Sequence, residues 1–398
     1  MVLAALTLSL APSLTFQRAS ISLVPDEPLP LGGYTERQSA PFEPGGDDLQ
    51  ARVILIRQGE VGLALVSAEM LTAPESLVRE VQKQILPPYR LFLAASHTHC
   101  APDSQMLNDR MTFALPGIAT YRRRQLEWTA NRIGQAIRQA ATSKPEPQTE
   151  LSIQVRLLDL NRPRRVGANP DRRASLVKDT DGMPFFLQYA AHPTLYGPEE
   201  RRLRGDWIGA WMVDHEAPAL LGPIGDVSPA SLASNPAEAT SQFVREISKV
   251  FGPYPGDLID PQKFSWTEAQ IPLDPPQPHP TFAQQYGLPQ PLAENLVQRF
   301  APPEAKVTAF RIGKLAVVGV PGEPTSALGR QIEQAGRREG FRWTLVCSHV
   351  NGWIGYILEP EDYDRGGYEA QLSFHGRKTA ERVASAAAEA LRSLARGK

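Results

Sequence analysis

Short runs of apolar residues, several of them apolar on both faces, recur along this chain. A strand with one face in water alternates apolar and polar residues, whereas a strand buried on both faces is apolar along its length. Between these runs, apolar residues recur at helical spacing. The mixture predicts an α/β or α+β fold, with a large mixed β-sheet core flanked by helices. The predicted strands are Arg52–Arg57, Gly62–Ser67, Arg90–Ala95, Leu151–Leu157, Pro184–Ala190, Lys306–Ile312, Leu315–Val320 and Trp343–Ser348. The predicted helices are Ala73–Gln84, Arg122–Thr142, Pro236–Val250, Ser326–Arg338 and Gly376–Ala395.

Composition excludes several classes of protein. Apolar residues make up 42% of the 398 residues, which is enough for a sizeable core and excludes intrinsic disorder. The 42 basic and 43 acidic residues nearly cancel, so no broad field attracts nucleic acid or an anionic membrane. No run approaches eighteen apolar residues, so no transmembrane segment is expected.

Two segments allow more than one interpretation. Residues 1–16 are uncharged and apolar, which fits either a partial secretory signal without its basic start or an N-terminal strand. A signal would mean a secreted or periplasmic protein, and otherwise the protein could be cytoplasmic. The Pro-rich segment Phe251–Pro303 is either a domain linker or an excursion over the surface near the site. We expect residues 17–398 to form one domain, and no pattern indicates an oligomeric state.

Polar clusters directly follow four of the predicted strands and a fifth apolar stretch, Ala217–Ile224. Ligands of α/β sheets bind beyond the carboxyl ends of the strands, so we expect these clusters to share one site. The clusters are Ser96–Pro102, Ala191–Thr194, Gly225–Pro229, Pro321–Thr325 and His349–Tyr356.

The first of these clusters contains two histidines, His97 and His99. On an extended segment both imidazoles would point to the same face. Imidazole is a good zinc ligand, and a catalytic zinc takes about three protein ligands. His192 also follows a strand, and Glu323 would add the carboxylate that often accompanies two histidines on zinc. The alternative is that these are buried histidines whose hydrogen bonds are satisfied, which are common.

Glu323 and Ser228 each have a structural and a functional interpretation. Glu323 follows Pro-Gly, so it could be a metal ligand, a turn residue or a helix cap before Thr325. Ser228 lies in Gly-Asp-Val-Ser-Pro, which suits a tight turn and also a loop that presents a hydroxyl to substrate. The sequence contains no Gly-x-Ser-x-Gly elbow, phosphate loop or dinucleotide fingerprint.

In this order, the motifs resemble the catalytic domain of the neutral ceramidases, the neutral/alkaline non-lysosomal family. Any one motif is weak, but their order and their span over most of the chain are specific. The interval of twelve residues from Tyr356 to Tyr368 is also that of the family. The resembling pieces are Ser96–His99, Asn161-Arg162, Ala191–Thr194, Gly225–Pro229, Val320–Glu323, Gly355-Tyr356 and Tyr368-Glu369.

The resemblance implies a zinc-dependent amidohydrolase that cleaves the amide bond of N-acyl lipids, as ceramidases convert ceramide to a sphingoid base and a fatty acid. It implies one Zn²⁺ per chain, with four ligands: His97, His192, Glu323 and Tyr356.

The resemblance also implies catalytic roles beside the metal. His99 would be an outer-shell residue or a proton donor. Arg162 and Tyr368 would bind the amide oxygen and stabilise its developing charge. Ser228 would be the nucleophile or a hydrogen-bonding partner of the substrate.

The chain also departs from the family pattern. It is short, and nothing after Tyr368 is long enough for the family's C-terminal immunoglobulin-like domain, which we do not expect here. The segment Cys100–Asp103 replaces the family's usual Ser-Gly-Pro-Gly. The four predicted metal ligands are all present, whereas the loops that would shape the lipid pocket differ from those of the family. The alternatives are therefore a hydrolase of a different N-acyl amide or ester, and a non-catalytic binding protein on the same fold.

Overall fold

Two layers of β-sheet pack face to face, and helices cover their outer faces. The structure is a computed structural model that describes residues 12–252 and 256–397. The strands are β1 (Leu14–Ser22), β2 (Gln50–Gln58), β3 (Val61–Ala68), β4 (Tyr89–Ala95), β5 (Glu146–Gln148), β6 (Leu151–Leu157), β7 (Asn161–Pro163), β8 (Arg173–Lys178), β9 (Pro184–Tyr189), β10 (Ala219–Leu221), β11 (Val227–Pro229), β12 (Asp257–Ile259), β13 (Phe264–Ile271), β14 (Ala305–Ile312), β15 (Leu315–Gly319), β16 (Glu323–Pro324), β17 (Trp343–Cys347) and β18 (Tyr356–Ile357). The helices are α1 (Glu75–Gln82), α2 (Arg123–Thr142), α3 (Asp206–His215), α4 (Pro236–Val250), α5 (Phe282–Gln285), α6 (Gln290–Phe300), α7 (Ser326–Arg338), α8 (Pro360–Asp364), α9 (Tyr368–Gln371) and α10 (Thr379–Arg396). The predicted α/β class, with mixed sheets flanked by helices, is confirmed.

The first layer is a sheet in the strand order β4-β3-β2-β1-β5. The second layer contains a sheet in the order β10-β9-β8-β6-β12 and another in the order β13-β14-β15-β17. These two sheets adjoin where the Ser348 N–H donates to the Leu221 carbonyl, 2.9 Å away. The pairs β3–β4, β9–β10 and β15–β17 are parallel, so the sheets are mixed.

Aromatic side chains fill the space between the layers. Phe16 of β1 stacks on Phe185 of β9 with ring centroids 4.4 Å apart, and Phe92 of β4 meets Phe310 of β14 edge-on at 5.3 Å. Burial of a phenylalanine side chain stabilises the fold by about 1.5–3 kcal/mol. The outer faces are covered by α1 and α2 on one side and by α3, α4, α7 and α10 on the other.

Some elements were not predicted from the sequence, for identifiable reasons. Helix α3 is apolar nearly all round because it is buried, so its residues show no helical period. In β13, polar residues Thr267 and Glu268 are adjacent and interrupt the alternation that marks a strand. The segment Phe251–Pro303 is therefore more regular than a linker or loop, since it contains β12, β13, α5 and α6.

The structure describes only part of the N-terminal segment that was predicted to be a partial signal or a strand. Residues 1–11 of the expected extension lie outside the described residues. Leu14 and Phe16 belong to β1, which pairs with β2 and β5, so the end of the apolar segment is part of the first sheet. Among the helices that the structure describes, none combines the length and apolar character needed to cross a bilayer.

Candidate metal centre and active site

Strand ends bring the expected metal ligands together. His97 follows β4, and His192 comes three residues after the end of β9. Glu323 lies in β16 and Tyr356 in β18, and these two residues are direct partners in a short parallel pair. His349 follows β17 and joins the same cluster. The sequence assigns these residues to separate segments, and the layered sheets gather them at one edge.

Backbone carbonyls orient two of the imidazoles. The Nδ1 of His97 lies 2.8 Å from the Leu71 carbonyl oxygen. The Nδ1 of His192 lies 3.0 Å from the Val227 carbonyl oxygen and 3.1 Å from that of Ile224. Since a carbonyl only accepts, each Nδ1 carries the proton and each Nε2 presents its lone pair. Such bonds fix the tautomer and ring orientation of histidines that bind metals.

Both Nε2 atoms face one oxygen of Glu323. Its Oε2 lies 3.3 Å from His192 Nε2 and 3.7 Å from His97 Nε2, and it has no hydrogen-bond partner within the described chain. The other oxygen, Oε1, accepts a hydrogen bond of 3.1 Å from the indole N–H of Trp353. The His99 Nε2 lies 3.3 Å from the His97 Nε2. Three imidazoles and a carboxylate therefore converge in the buried interior.

These separations suit a metal ion. An ion bound tetrahedrally at about 2.0–2.2 Å holds its ligand atoms about 3.3–3.6 Å apart, close to the values measured here. A buried carboxylate oxygen without a donor is costly unless a cation satisfies it. His97, His99, His192, Glu323 and His349 thus form a cluster that could hold a metal ion.

The surroundings favour neutral imidazoles, which is the form that binds metals. Burial is the main cause that lowers the pKa of His192 to about 4, and the nearby Arg164 charge adds to it. Burial also lowers the pKa of His97, and it holds the pKa of His349 well below the ordinary value.

His349 is a member of the cluster that the sequence analysis did not assign. Its ring is fully buried and stacks on His97 with centroids 4.0 Å apart and planes 20° apart. Its Nε2 lies 3.9 Å from Glu323 Oε1. The signal that could have identified it was available, because His349 follows a buried strand directly, as His97 does.

Arg164, and not Arg162, is the arginine whose side chain reaches the cluster. Its Nε donates to Ser228 Oγ at 3.2 Å, and one terminal nitrogen donates to Tyr356 Oη at 3.1 Å and lies 3.4 Å from His192 Nε2. Burial works against its charge, but Tyr356, Glu323 and Glu369 outweigh it and raise the pKa of the guanidinium. A permanently charged donor therefore lies beside the metal cluster.

The Arg162 side chain is exposed and makes no hydrogen bond or ion pair among the described residues. Its backbone pairs with that of Ser228, because β7 and β11 form a short antiparallel ladder in which the two residues are partners. Ser228 is buried, and its hydroxyl accepts the bond from Arg164. Ser228, the expected nucleophile or substrate partner, therefore lies beside the cluster, whereas the side chain of Arg162, expected to bind the amide oxygen, points away from it.

Tyr368 and His99 border the cluster on the side of solvent. Tyr368 is 55% exposed, and its ring centroid lies 6.0 Å from that of Tyr356. His99 is half-buried, its Nδ1 has no partner among the described residues, and the Tyr34 ring packs against it at 4.9 Å. Tyr368 is therefore accessible to a molecule that approaches the metal cluster, whereas the Nδ1 atom of His99 is buried.

Known proteins similar to this chain are ceramidases. It is 29% identical over 86 residues to the neutral ceramidase of Mycobacterium tuberculosis, a match that spans 21% of this chain and only 14% of that protein. It superposes on the crystal structure of the neutral ceramidase from Pseudomonas aeruginosa with a TM-score of 0.81 and 15% identity, over 97% of this chain and 75% of that one. A ceramidase complexed with C2 gives a TM-score of 0.79 and 15% identity, over 96% of this chain and 75% of that one. No protein-family model matches the chain.

The structural comparison and the sequence comparison therefore agree, because both find neutral ceramidases. The structural match extends over nearly the whole chain, while the sequence match is confined to a short segment. The chain has the neutral ceramidase fold, and its predicted resemblance to the neutral ceramidases is confirmed.

Proposed function

We propose that this protein is a zinc-dependent hydrolase that cleaves the amide bond of N-acyl lipids, like the ceramidases whose fold it has. The observation that carries the proposal is the convergence of His97 and His192 on Glu323 Oε2, with the Arg164 guanidinium beside them. This arrangement combines donors for a cation with a charged hydrogen-bond donor for a carbonyl oxygen. Hydrolysis of a different N-acyl amide or of an ester would use the same groups.

His97, His192, Glu323 and Tyr356 are the residues that would hold the zinc. When bound, zinc polarises a carbonyl group and lowers the pKa of a coordinated water to about 7. The chain contributes rigidity, because the Nδ1 bonds of both histidines and the Trp353 bond to Glu323 fix the donor atoms before the ion arrives.

Arg164 is the residue that we assign to the amide oxygen. As the carbonyl carbon becomes tetrahedral, its oxygen gains negative charge, and a fixed cationic donor stabilises that charge more than it stabilises the substrate. Arg165, its neighbour, is bound to Glu369 at 2.7 Å, and the same carboxyl approaches Arg164 Nε at 4.0 Å. Glu369 therefore restrains the segment that carries the donor.

Ser228 acts as a substrate-binding group in this proposal. A serine nucleophile needs a base to take its proton. The one hydrogen bond of the Ser228 hydroxyl among the described residues comes from Arg164, which is itself a donor and remains protonated. The Ser228 hydroxyl proton is therefore free to donate to a substrate oxygen.

We assign His99 to the leaving nitrogen of the substrate and Tyr368 to its amide oxygen. Amide cleavage needs a proton on the leaving nitrogen. His99 would carry one at Nδ1, a buried nitrogen that has no partner in the described chain. Tyr368, which is 55% exposed, supplies a second donor for the amide oxygen.

Metal content and hydrolysis test the proposal together. Protein purified without chelator should retain about one tightly bound zinc per chain, as expected for a catalytic site with this ligand set. It should release fatty acid from a long-chain N-acyl amide, and chelator should stop the release. Protein that contains no metal, or that keeps its rate after the metal is removed, would contradict the mechanism.

Trp353→Phe tests the orientation of Glu323. The substitution removes the indole N–H that Oε1 accepts and keeps an aromatic ring against Phe374. Loss of such an outer-shell bond weakens metal affinity by about 10–100-fold. Zinc affinity is measured by competition with a chelating dye. Trp266→Phe, a change to a tryptophan of β13 outside this cluster, is the control and should leave the affinity unchanged.

Substrate chain length tests the lipid part of the proposal. Most aromatic residues of Phe251–Pro303 pack into cores, but Tyr286 and Leu292 are both 45% exposed beside α5 and on α6. If they border a groove for an acyl chain, each buried methylene should improve kcat/KM by up to about 0.8 kcal/mol. The measurement uses N-acyl amides from acetyl to palmitoyl, with matched esters. A flat series would reject a lipid groove and indicate a hydrolase of small amides or esters.

A further inference from the structure

His99 lacks the hydrogen bond that orients two other histidines of the cluster. His97 and His192 each use Nδ1 to bond a carbonyl, whereas the Nδ1 of His99 has no partner among the described residues. A side chain that delivers a proton must nevertheless be held within hydrogen-bonding reach of the atom that receives it. Contacts other than a bond from Nδ1 must therefore orient the His99 imidazole.

The segment Gly32–Arg37 supplies such contacts. The Tyr34 ring packs on the His99 imidazole with centroids 4.9 Å apart, and the Tyr34 hydroxyl donates to the Tyr196 carbonyl at 3.1 Å. Gly33 lies so close that a Cβ atom on it would come within 2.6 Å of the Cβ and Cγ atoms of His99. This close packing restricts rotation of the imidazole about its side-chain bonds.

Arg37 joins this segment to the loop that carries His99. Its side chain is only 1% exposed, and each of the five N–H groups of its guanidinium has an acceptor. The bonds to the Gly32 and Gly197 carbonyls are both 2.9 Å long. The five acceptors are the carbonyls of Gly32, His99, Gly197 and Pro198 and the Sγ of Cys100.

The guanidinium of Arg37 is therefore a buried charge that is fully used inside the protein. None of its five acceptors is a carboxylate, so peptide dipoles and one sulfur replace the water around the charge, which is costly. No N–H group remains for a substrate. Arg37 can act only through the segments that it joins, and one of these is the peptide group of His99 itself.

We propose that Arg37 is a positioning residue for proton transfer, because it holds the segment Gly32–Arg37 against His99 and so fixes the imidazole that protonates the leaving nitrogen. The inference rests on the proposed function, which assigns that proton to His99. As the C–N bond breaks, its electron pair stays on nitrogen and takes the proton, and His99 regains a proton from the attacking water. A displacement of about 1 Å at a reacting group can lower a rate about a hundred-fold.

The loss should be confined to substrates whose leaving group needs a proton. An amine cannot leave as its anion, so amide cleavage needs the proton. The leaving group of a para-nitrophenyl ester departs as a stable anion and needs none. The ratio of the two rates therefore reports on His99, whereas damage to the fold or to the metal cluster would lower both rates together.

Arg37→Lys tests this role, since lysine keeps the charge but has three N–H donors in place of five. With zinc still bound, kcat on a long-chain N-acyl amide should fall about a hundred-fold, and kcat on the para-nitrophenyl ester of the same acid should stay within a few-fold. His99→Ala should show the same selective loss, and the double variant should be no slower on the amide than His99→Ala alone. Arg311→Lys is the control, because Arg311 is also buried and bonds the Gly313 and Leu394 carbonyls, and it should keep the wild-type ratio.

Gly33→Ala is a second variant that serves if Arg37→Lys does not fold. It leaves Arg37 in place, but its methyl group must displace His99, so it should show the same selective loss on the amide. Equal losses on amide and ester in folded Arg37→Lys, or no loss on either, would overturn the positioning role. If His99→Ala shows the selective loss and neither Arg37→Lys nor Gly33→Ala does, only this inference fails. If His99→Ala shows no selective loss, the role of His99 in the proposed function fails as well.

Discussion

Replacing His192 with alanine should abolish both zinc binding and amide hydrolysis. The change removes a donor whose Nε2 lies 3.3 Å from the unpartnered Glu323 oxygen, and it leaves a cavity in a fully buried site. Elemental analysis should find no zinc after dialysis, and kcat/KM should fall below detection. His97→Ala should behave in the same way, because its Nε2 faces the same oxygen.

Thermal unfolding provides a second measurement of the same prediction. An ion that binds only the folded chain stabilises it by about 4 kcal/mol when its concentration is a thousand times its Kd. Wild-type protein should therefore lose thermal stability when chelator is added, while the unfolding temperature of His192→Ala should not respond. His215→Ala is the matched control, because this histidine bonds Trp211 and Ser248 on the helical side of the sheet. Zinc retained by His192→Ala, or lost by His215→Ala, would show that the ligand set is wrong.

The sequence could predict where the metal cluster forms because its members follow buried strands. A run such as β4 or β9 is recognised by its apolar residues, and the polar residue after it must lie at the strand end. Glu323 and Tyr356 are a different case: they are partners in a two-residue parallel pair, too short for any pattern to reveal. The prediction that these two residues lie close together rested on the family resemblance, because periodicity gives no sign of it.

His349 shows what the same reasoning missed. It follows β17 as directly as His97 follows β4, but a single histidine without a second one nearby in sequence is not distinctive. Its place in the cluster depends on two distant contacts, with the backbone of Gly322 and that of Ala95. The contact with Ala95 joins segments more than two hundred residues apart, and such a contact leaves no local signal in the sequence.

Arg164 shows another reason why the sequence could not predict the whole site. Asn161-Arg162-Pro163-Arg164 offers two arginines two residues apart, and in an extended strand both would point to the same face. Asn161 is fixed by bonds from its amide to the Ala190 and Asp171 carbonyls. The strand ends at Pro163, and the Arg164 N–H donates to the Asp226 carbonyl at 2.8 Å. That bond brings Arg164 toward the cluster, and it could not be inferred from the motif.

Arg164→Ala should reduce kcat by roughly a hundred-fold or more while zinc remains bound. Removal of one donor to a developing oxyanion typically has an effect of that size. Arg164 is not a donor to the ion, so metal content should not change. Arg162→Ala should leave kcat within a few-fold of the wild-type rate, because that side chain is exposed and unbonded among the described residues. Both variants are compared by steady-state kinetics on one long-chain N-acyl amide, with zinc measured in each preparation.

Arg164→Lys separates the charge of this residue from its geometry. Lysine keeps the positive charge, but it cannot bond Ser228 and Tyr356 at once as the planar guanidinium does. We expect Arg164→Lys to recover only part of the rate lost in Arg164→Ala, with the deficit in kcat and not in KM, because the contact strengthens in the transition state. Full recovery of the rate would mean that a positive charge at this position is sufficient for catalysis. The opposite ranking, with Arg162→Ala inactive and Arg164→Ala active, would return the role to Arg162 and require β7 to rotate toward the cluster on substrate binding.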